Sequence, residues 1–126
     1  MPKRLILMLS ILPVAVAGCG GDSDGSPPET EAACADLTGS PTATIVMLDN
    51  TFNPACFKVS ENQGLTLRNE GVALHDFKVE GSDVDLDVRA GEETNTEAIG
   101  GILEPGSYKV TCTYHQPLMV AEMEVL

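Results

Sequence analysis

Aromatic residues and positive charge are both scarce in this chain of 126 residues. Trp is absent and Phe, Tyr and Trp together make up 4%, so any core is aliphatic. Lys and Arg number 7 against 19 Asp and Glu, a formal net charge of -12. Such a surface lacks the clustered cations that displace counterions from phosphates, which argues against nucleic-acid binding. There are only two His, His75 and His115, so chemistry that needs imidazole has no choice of residue. No internal repeat and no long stretch of 3.6-residue periodicity is present, which leaves little room for a helical bundle. At 43% hydrophobic residues the chain is not a disordered tail, and its length suits one compact domain with tails.

The first segment reads as an address. Lys3 and Arg4 precede an almost wholly apolar run, Leu5 to Ala17. The run is too short to span a bilayer comfortably and suits a secretory signal peptide over residues 1–18. Val16-Ala17-Gly18-Cys19 resembles a bacterial lipobox, in which Cys19 becomes the lipidated mature N-terminus. With no twin-arginine pair, the general secretory route is expected. Residues 19–40 follow as the lipidated N-terminus and a flexible acidic linker, opening with the Gly-, Ser- and Pro-rich stretch GGDSDGSPPETE. The protein is thus expected outside the cytoplasm, anchored by lipid to the cell membrane or outer membrane and facing the periplasm or exterior. Its acidity would repel anionic headgroups, so the membrane contact is expected through the lipid anchor only. The same acidity serves either solubility or docking to a basic partner.

From Thr42 the pattern turns to strands. Thr42 to Leu48 is β-branched and apolar, and Phe57 to Ser60 and Leu65 to Asn69 flank the turn Glu61-Asn62-Gln63-Gly64. His75, Phe77 and Val79 share one parity, and Val84, Leu86 and Val88 alternate with Asp83, Asp85 and Asp87. Thr94 to Ile99 is a weaker strand, Tyr108 to Thr113 follows the turn Pro105-Gly106, and Met119 to Leu126 alternates again. Many short strands between turns predict an all-β Greek-key sandwich of about 7–8 strands. The acidic triplet does not make a calcium loop, because Val88 and Thr94 stand where an EF-hand needs Gly and Glu; the solvated face of an edge strand accounts for it better.

The chemistry is concentrated near the C-terminus. Cys112-Thr113-Tyr114-His115-Gln116-Pro117-Leu118-Met119 has the spacing C-x-x-H-x-x-x-M. A thiolate, an imidazole and a thioether in one short loop are soft to borderline donors that favour copper over Mg, Ca or Mn. His75 is the one remaining imidazole. A lone His on an apolar strand face is usually a satisfied core residue, but with the loop motif it completes a trigonal His₂Cys set with a weak axial Met.

Three stretches then resemble the cupredoxins of the plastocyanin, amicyanin and pseudoazurin type. They are Phe52-Asn53-Pro54 with Phe57-Lys58-Val59, the run Asn69 to Phe77 around His75, and the run Pro105 to His115 followed by Met119. The resemblance covers the domain expected at 41–126 and implies one type 1 copper ion held by His75, Cys112, His115 and Met119. It also implies a surface-facing His115 with Pro117 and Leu118 as candidates for an apolar docking rim. Departures exist. The interval from His115 to Met119 is one residue longer than in amicyanin-like loops and one shorter than in plastocyanin-like loops. Asp76 stands where many relatives carry an Asn that braces the Cys loop, which opens a route to a shifted potential. Thr111 precedes Cys112 in place of a Tyr, so a single electron exit through His115 is expected.

With Cys19 assigned to lipid and Cys112 to copper, Cys34 and Cys56 remain in an exported chain, and a disulfide between them is expected. The leading expectation is an electron-transfer protein, not an enzyme, that works as a monomer with redox partner proteins as donor and acceptor. The alternative is a copper-binding or copper-delivery lipoprotein of the same fold. No exposed Met/His cluster suited to delivery is visible in the sequence.

Overall fold

The computed structural model describes residues 33–126. The expected signal peptide, the lipidation site Cys19 and the tether as far as residue 32 lie outside them. Ten strands form two sheets: β1 (Ala35–Asp36), β2 (Thr42–Met47), β3 (Phe52–Asn53), β4 (Cys56–Val59), β5 (Gly64–Asn69), β6 (His75–Val79), β7 (Asp85–Val88), β8 (Glu93–Ala98), β9 (Gly106–Thr111) and β10 (Val120–Val125). The six-stranded sheet has the order β1-β4-β10-β9-β6-β7 and the four-stranded sheet the order β3-β2-β5-β8. Two 3-10 turns, Ile99–Gly101 and Thr113–His115, are the only helical elements among the described residues.

Alternation decides which faces meet. Ala43, Ile45 and Met47 of β2, Leu65 and Leu67 of β5, and Ala121, Met123 and Val125 of β10 are all buried. Successive strand residues point to opposite faces, so these sets close on one another between the sheets. All three Phe enter this core, and Phe52 and Phe77 meet edge to face with centroids 5.9 Å apart. A chain with so few aromatics spends every Phe on the interior.

The count exceeds the expected seven or eight because β1 and β3 are two residues each, too short for periodicity to reveal. The chain passes from the four-stranded sheet (β3) to the six-stranded sheet (β4) across Pro54, which has no N–H to continue a ladder. The expected linker also ends sooner than residue 40. Ala35 and Asp36 pair in parallel with Phe57 and Lys58, and Leu37 N–H donates to the Lys58 carbonyl at 3.0 Å. Ala35 and Leu37 pack on the core, and Gln63 Nε2 donates to the carbonyls of Leu37 and Ser40. The folded unit therefore begins by Ala35, because two apolar side chains in an acidic stretch find a sheet edge to cover. A bridge between Cys34 and Cys56 sits at the head of this pairing. Asp85 and Asp87 lie exposed on β7, at the edge of the six-stranded sheet.

Candidate metal centre

Three strands and one loop converge at one end of the sandwich. β9 and β10 are antiparallel neighbours, with Thr111 opposite Val120, so the residues between them form a closed loop. Backbone bonds tighten it: Cys112 N–H to the Met119 carbonyl (3.0 Å), His115 N–H to Cys112 (3.2 Å), and Leu118 and Met119 N–H to His115 (3.0 and 3.1 Å). The short 3-10 turn swings His115 back over Cys112. β6 lies beside β9, and its first residue, His75, enters the same space.

Three donor atoms meet there. Nδ1 of His75 and Nδ1 of His115 are 3.2 Å apart, and the Cys112 Sγ lies 3.7 Å from the first and 3.5 Å from the second. The circumcentre of a triangle with those sides is about 2.0 Å from each corner, close to a metal–imidazole bond and somewhat short of a metal–thiolate bond of ~2.3 Å. His75, Cys112 and Met119 are fully buried, while His115 is half-buried. The Met119 backbone closes the loop on Cys112. Within the described residues the thiol of Cys112 is the one free cysteine.

Burial dominates the electrostatics. It pushes the Cys112 thiol above its ordinary value, with the Asp76 and Tyr114 backbone N–H groups working against it. It holds His75 below the ordinary histidine range, helped by His115 and opposed by Asp49 and Asp76. Both shifts favour the uncharged protonation state in the metal-free protein. A cation bound to the thiolate would supply the compensating charge.

Asp76 is buried and joins the two halves of the centre. Its Oδ1 accepts from Thr113 N–H at 2.6 Å, and Oδ2 accepts from the Thr113 hydroxyl. Its side chain thus clips β6 to the turn that carries His115. Pro117 and Leu118, two and three residues after His115, are exposed, Leu118 at 72%. Val72, at 86%, and Leu74 are further exposed apolar residues in the segment leading to His75.

Sequence reasoning missed several supporting residues. Asn69, at the end of β5, is buried, donates from Nδ2 to the carbonyls of Ala73 and Val88 (both 2.8 Å) and accepts from Gly71 N–H (2.9 Å), so it shapes the loop before His75. The signal for it was its place at the head of the Asn69–Phe77 run that resembles the cupredoxins, though its bonds could not be read from that. The Tyr114 hydroxyl donates to Asp87 at 2.9 Å, and that bond raises the phenol above its usual value. Asp76, Asp85 and Asp87 also gather their carboxylates within 4.8 Å of one another.

Residues 29–125 match the family model of the cupredoxin-like domain. No curated protein matches the chain. Among solved structures, a reduced amicyanin mutant is similar at 16% identity and a TM-score of 0.55, covering 68% of this chain and 82% of its own. A purple cupredoxin from Nitrosopumilus maritimus is similar at 15% identity and a TM-score of 0.53, covering 67% and 99%. A copper-containing nitrite reductase from Thermus scotoductus aligns at 22% identity and a TM-score of 0.56, over 68% of this chain but only 22% of the enzyme. Likeness at these identities establishes a common fold. The chain spans about a fifth of the nitrite reductase.

Proposed function

From the premise that this chain belongs to the cupredoxin-like domain family, we propose that it is a type 1 copper protein that carries single electrons outside the cytoplasmic membrane. One observation carries the reading: a buried thiol and two imidazole nitrogens at the corners of a triangle sized for one ion. The donor set suits copper, being soft to borderline, with His75, Cys112 and His115 as strong ligands and Met119 as the weak axial one. When bound, the copper ion gains and loses one electron between Cu(II) and Cu(I).

The chain's own residues do the rest. His75, on a strand, and Cys112, at the start of a braced loop, are fixed by neighbours that do not depend on the ion. Burial excludes water from three of the four donors, so no open position is left for a substrate, in contrast to a catalytic zinc site. That arrangement favours a carrier over an enzyme. His115 alone reaches the surface, and Pro117 and Leu118 beside it offer an apolar rim for a partner to press against. The acidic surface would select a partner with basic residues around its own redox site. Cys19 would hold the domain at the membrane by lipid, with the tether before Cys34 as its leash.

Adding Cu(II) to the purified domain tests the proposal. An intense thiolate-to-copper band near ~600 nm is expected of a His₂Cys site. A colourless copper adduct would overturn the type 1 reading and point to a delivery protein of the same fold.

A further inference from the structure

One buried atom at the centre is not used by the chemistry above. His75 turns Nδ1 toward Cys112 and His115, so its Nε2 lies on the opposite edge of the ring. That Nε2 is buried and has no hydrogen-bond partner. Leaving such a group buried and unpaired costs its full desolvation penalty. A metal-ligating His almost always gives its second ring N–H to a carboxylate, a carbonyl or water, which fixes its tautomer.

Gly71 marks what stands behind the ring. A β-carbon on Gly71 would lie 2.9 Å from His75 Nε2, 2.8 Å from Asp49 Oδ1 and 3.2 Å from Asn69 Oδ1. Three polar atoms therefore converge beside a residue with no side chain. Nε2 and the Asp49 oxygen can be no farther apart than the first two distances laid end to end, which one bridging water spans. Asp49 is already tied to this loop, because its Oδ1 accepts from Val72 N–H at 2.9 Å. The Glu70 N–H bond to the Met47 carbonyl, 2.9 Å, holds the same two segments together. Asn69 Oδ1 also accepts from Gly71, but only Asp49 brings a negative charge.

We propose that Asp49 is a positioning residue for His75. Its carboxylate accepts the Nε2 proton through one water lodged against Gly71, and keeps the Nδ1 lone pair facing the metal site. Gly71 is required because any side chain there fills the space between donor and acceptor. In the metal-free protein the consequence is specific: His75 carries its proton on Nε2, so His115 must be the donor in the 3.2 Å contact between the two Nδ1 atoms. The assignment rests on His75 being a metal ligand, but its test does not need the metal.

The test is ring ¹⁵N–¹H spectroscopy of the metal-free protein at about pH 8, above the ordinary histidine range. Wild type should show one His75 tautomer with a slowly exchanging Nε2 proton. Asp49→Asn keeps an acceptor for Val72 N–H and removes the charge; Nε2 exchange should rise at least tenfold with no loss of thermal stability. Gly71→Ala should do the same or populate both tautomers. Unchanged exchange and tautomer in Asp49→Asn and Gly71→Ala would overturn the proposal and leave Asp49 as a loop pin only. In the copper-loaded protein, Asp49→Asn should raise the Cu(I)-to-Cu(II) affinity ratio about threefold, or about 30 mV at 59 mV per tenfold. A wild type that shows the tautomer but no blue band would sink the copper reading and spare the role of Asp49. A blue wild type whose tautomer ignores Asp49 would do the reverse.

Discussion

The two imidazoles of the centre are held in opposite ways. His75 opens a strand, is sealed from solvent and is backed by the 69–73 loop, which Asn69 ties to Ala73 and Val88. His115 rides on a one-turn 3-10 segment, is half-exposed, and is held by the bonds of a short loop. The sheet side supplies position, because moving His75 means breaking ladders to β7 and disturbing the core around Phe77. The loop side supplies access, because only there does a ring edge reach the surface. A carrier needs both: donors that stay put when the charge changes, and one conducting group that a partner can touch. Cys112 belongs to both halves, extended from β9 yet closing the loop through its bond to Met119.

The sharpest way to break this division is at the shared residue. Cys112→Ser should abolish the visible charge-transfer band, since the oxygen cannot form the copper–thiolate bond, while the sandwich still folds. The absorption spectrum together with circular dichroism checks both parts. Persistence of the band would mean that another group holds the ion.

The second test is remote from the centre. Cys34 and Cys56 are bridged beside β1, on the outer edge of the six-stranded sheet. Replacing both by Ser should cost about 3 kcal/mol of stability, the chain-entropy value for a loop closed by about twenty residues. Denaturant unfolding measures it. The spectrum of the copper form should not move, because neither imidazole depends on that edge. A changed spectrum would show that the sheet side is less self-sufficient than its packing implies.

Asp76 spans the division alongside the Tyr114–Asp87 bond, and its removal loosens the link between the halves. Asp76→Ala takes away two acceptors from Thr113. With a charged acceptor involved, a loss of about 2 kcal/mol is expected. Asp76→Asn keeps one acceptor and should lose less, while the reduction potential rises because a buried negative charge near the thiolate is gone. Cyclic voltammetry of the two variants checks the sign.

How much of this was legible in the chain depends on distance along it. The loop donors fall within eight consecutive residues, so their chemistry showed as spacing. β6 and β10 showed through their alternation, down to the inward parity of His75, Phe77 and Val79, and β2 through its β-branched apolar run. What the sequence hid was made by pairing. β2 lies parallel to β5, with Met47 level with Asn69, and this brings Asp49 to Gly71 across more than twenty residues. No local pattern encodes that meeting. Asp76 breaks its strand's parity: it is buried on the face assigned to solvent, because the Thr113 turn folds over it. β1 escaped because two residues carry no period, and its neighbours are polar enough to read as linker.

The smallest expected effect concerns the metal-free protein and pH, and it has opposite signs at His75 and Cys112. His75 has its folded pKa lowered from 6.5, chiefly by burial, then by His115. A folded state that binds its proton later than the unfolded state is fully stabilised above 6.5 and loses stability as pH falls from there toward the folded value. Cys112 has its folded pKa raised from 9.0, again chiefly by burial. Here the unfolded thiol ionises first, so stability holds below 9.0 and declines as pH rises beyond it. The unfolding midpoint should therefore fall off on both sides of a plateau between those two pH values. His75→Gln should flatten the acid arm and Cys112→Ser the alkaline arm, each leaving the other in place. Chemical denaturation across the range resolves the arms. If His75→Gln left the acid arm unchanged, another group would be responsible for it, and burial of His75 would not be its source.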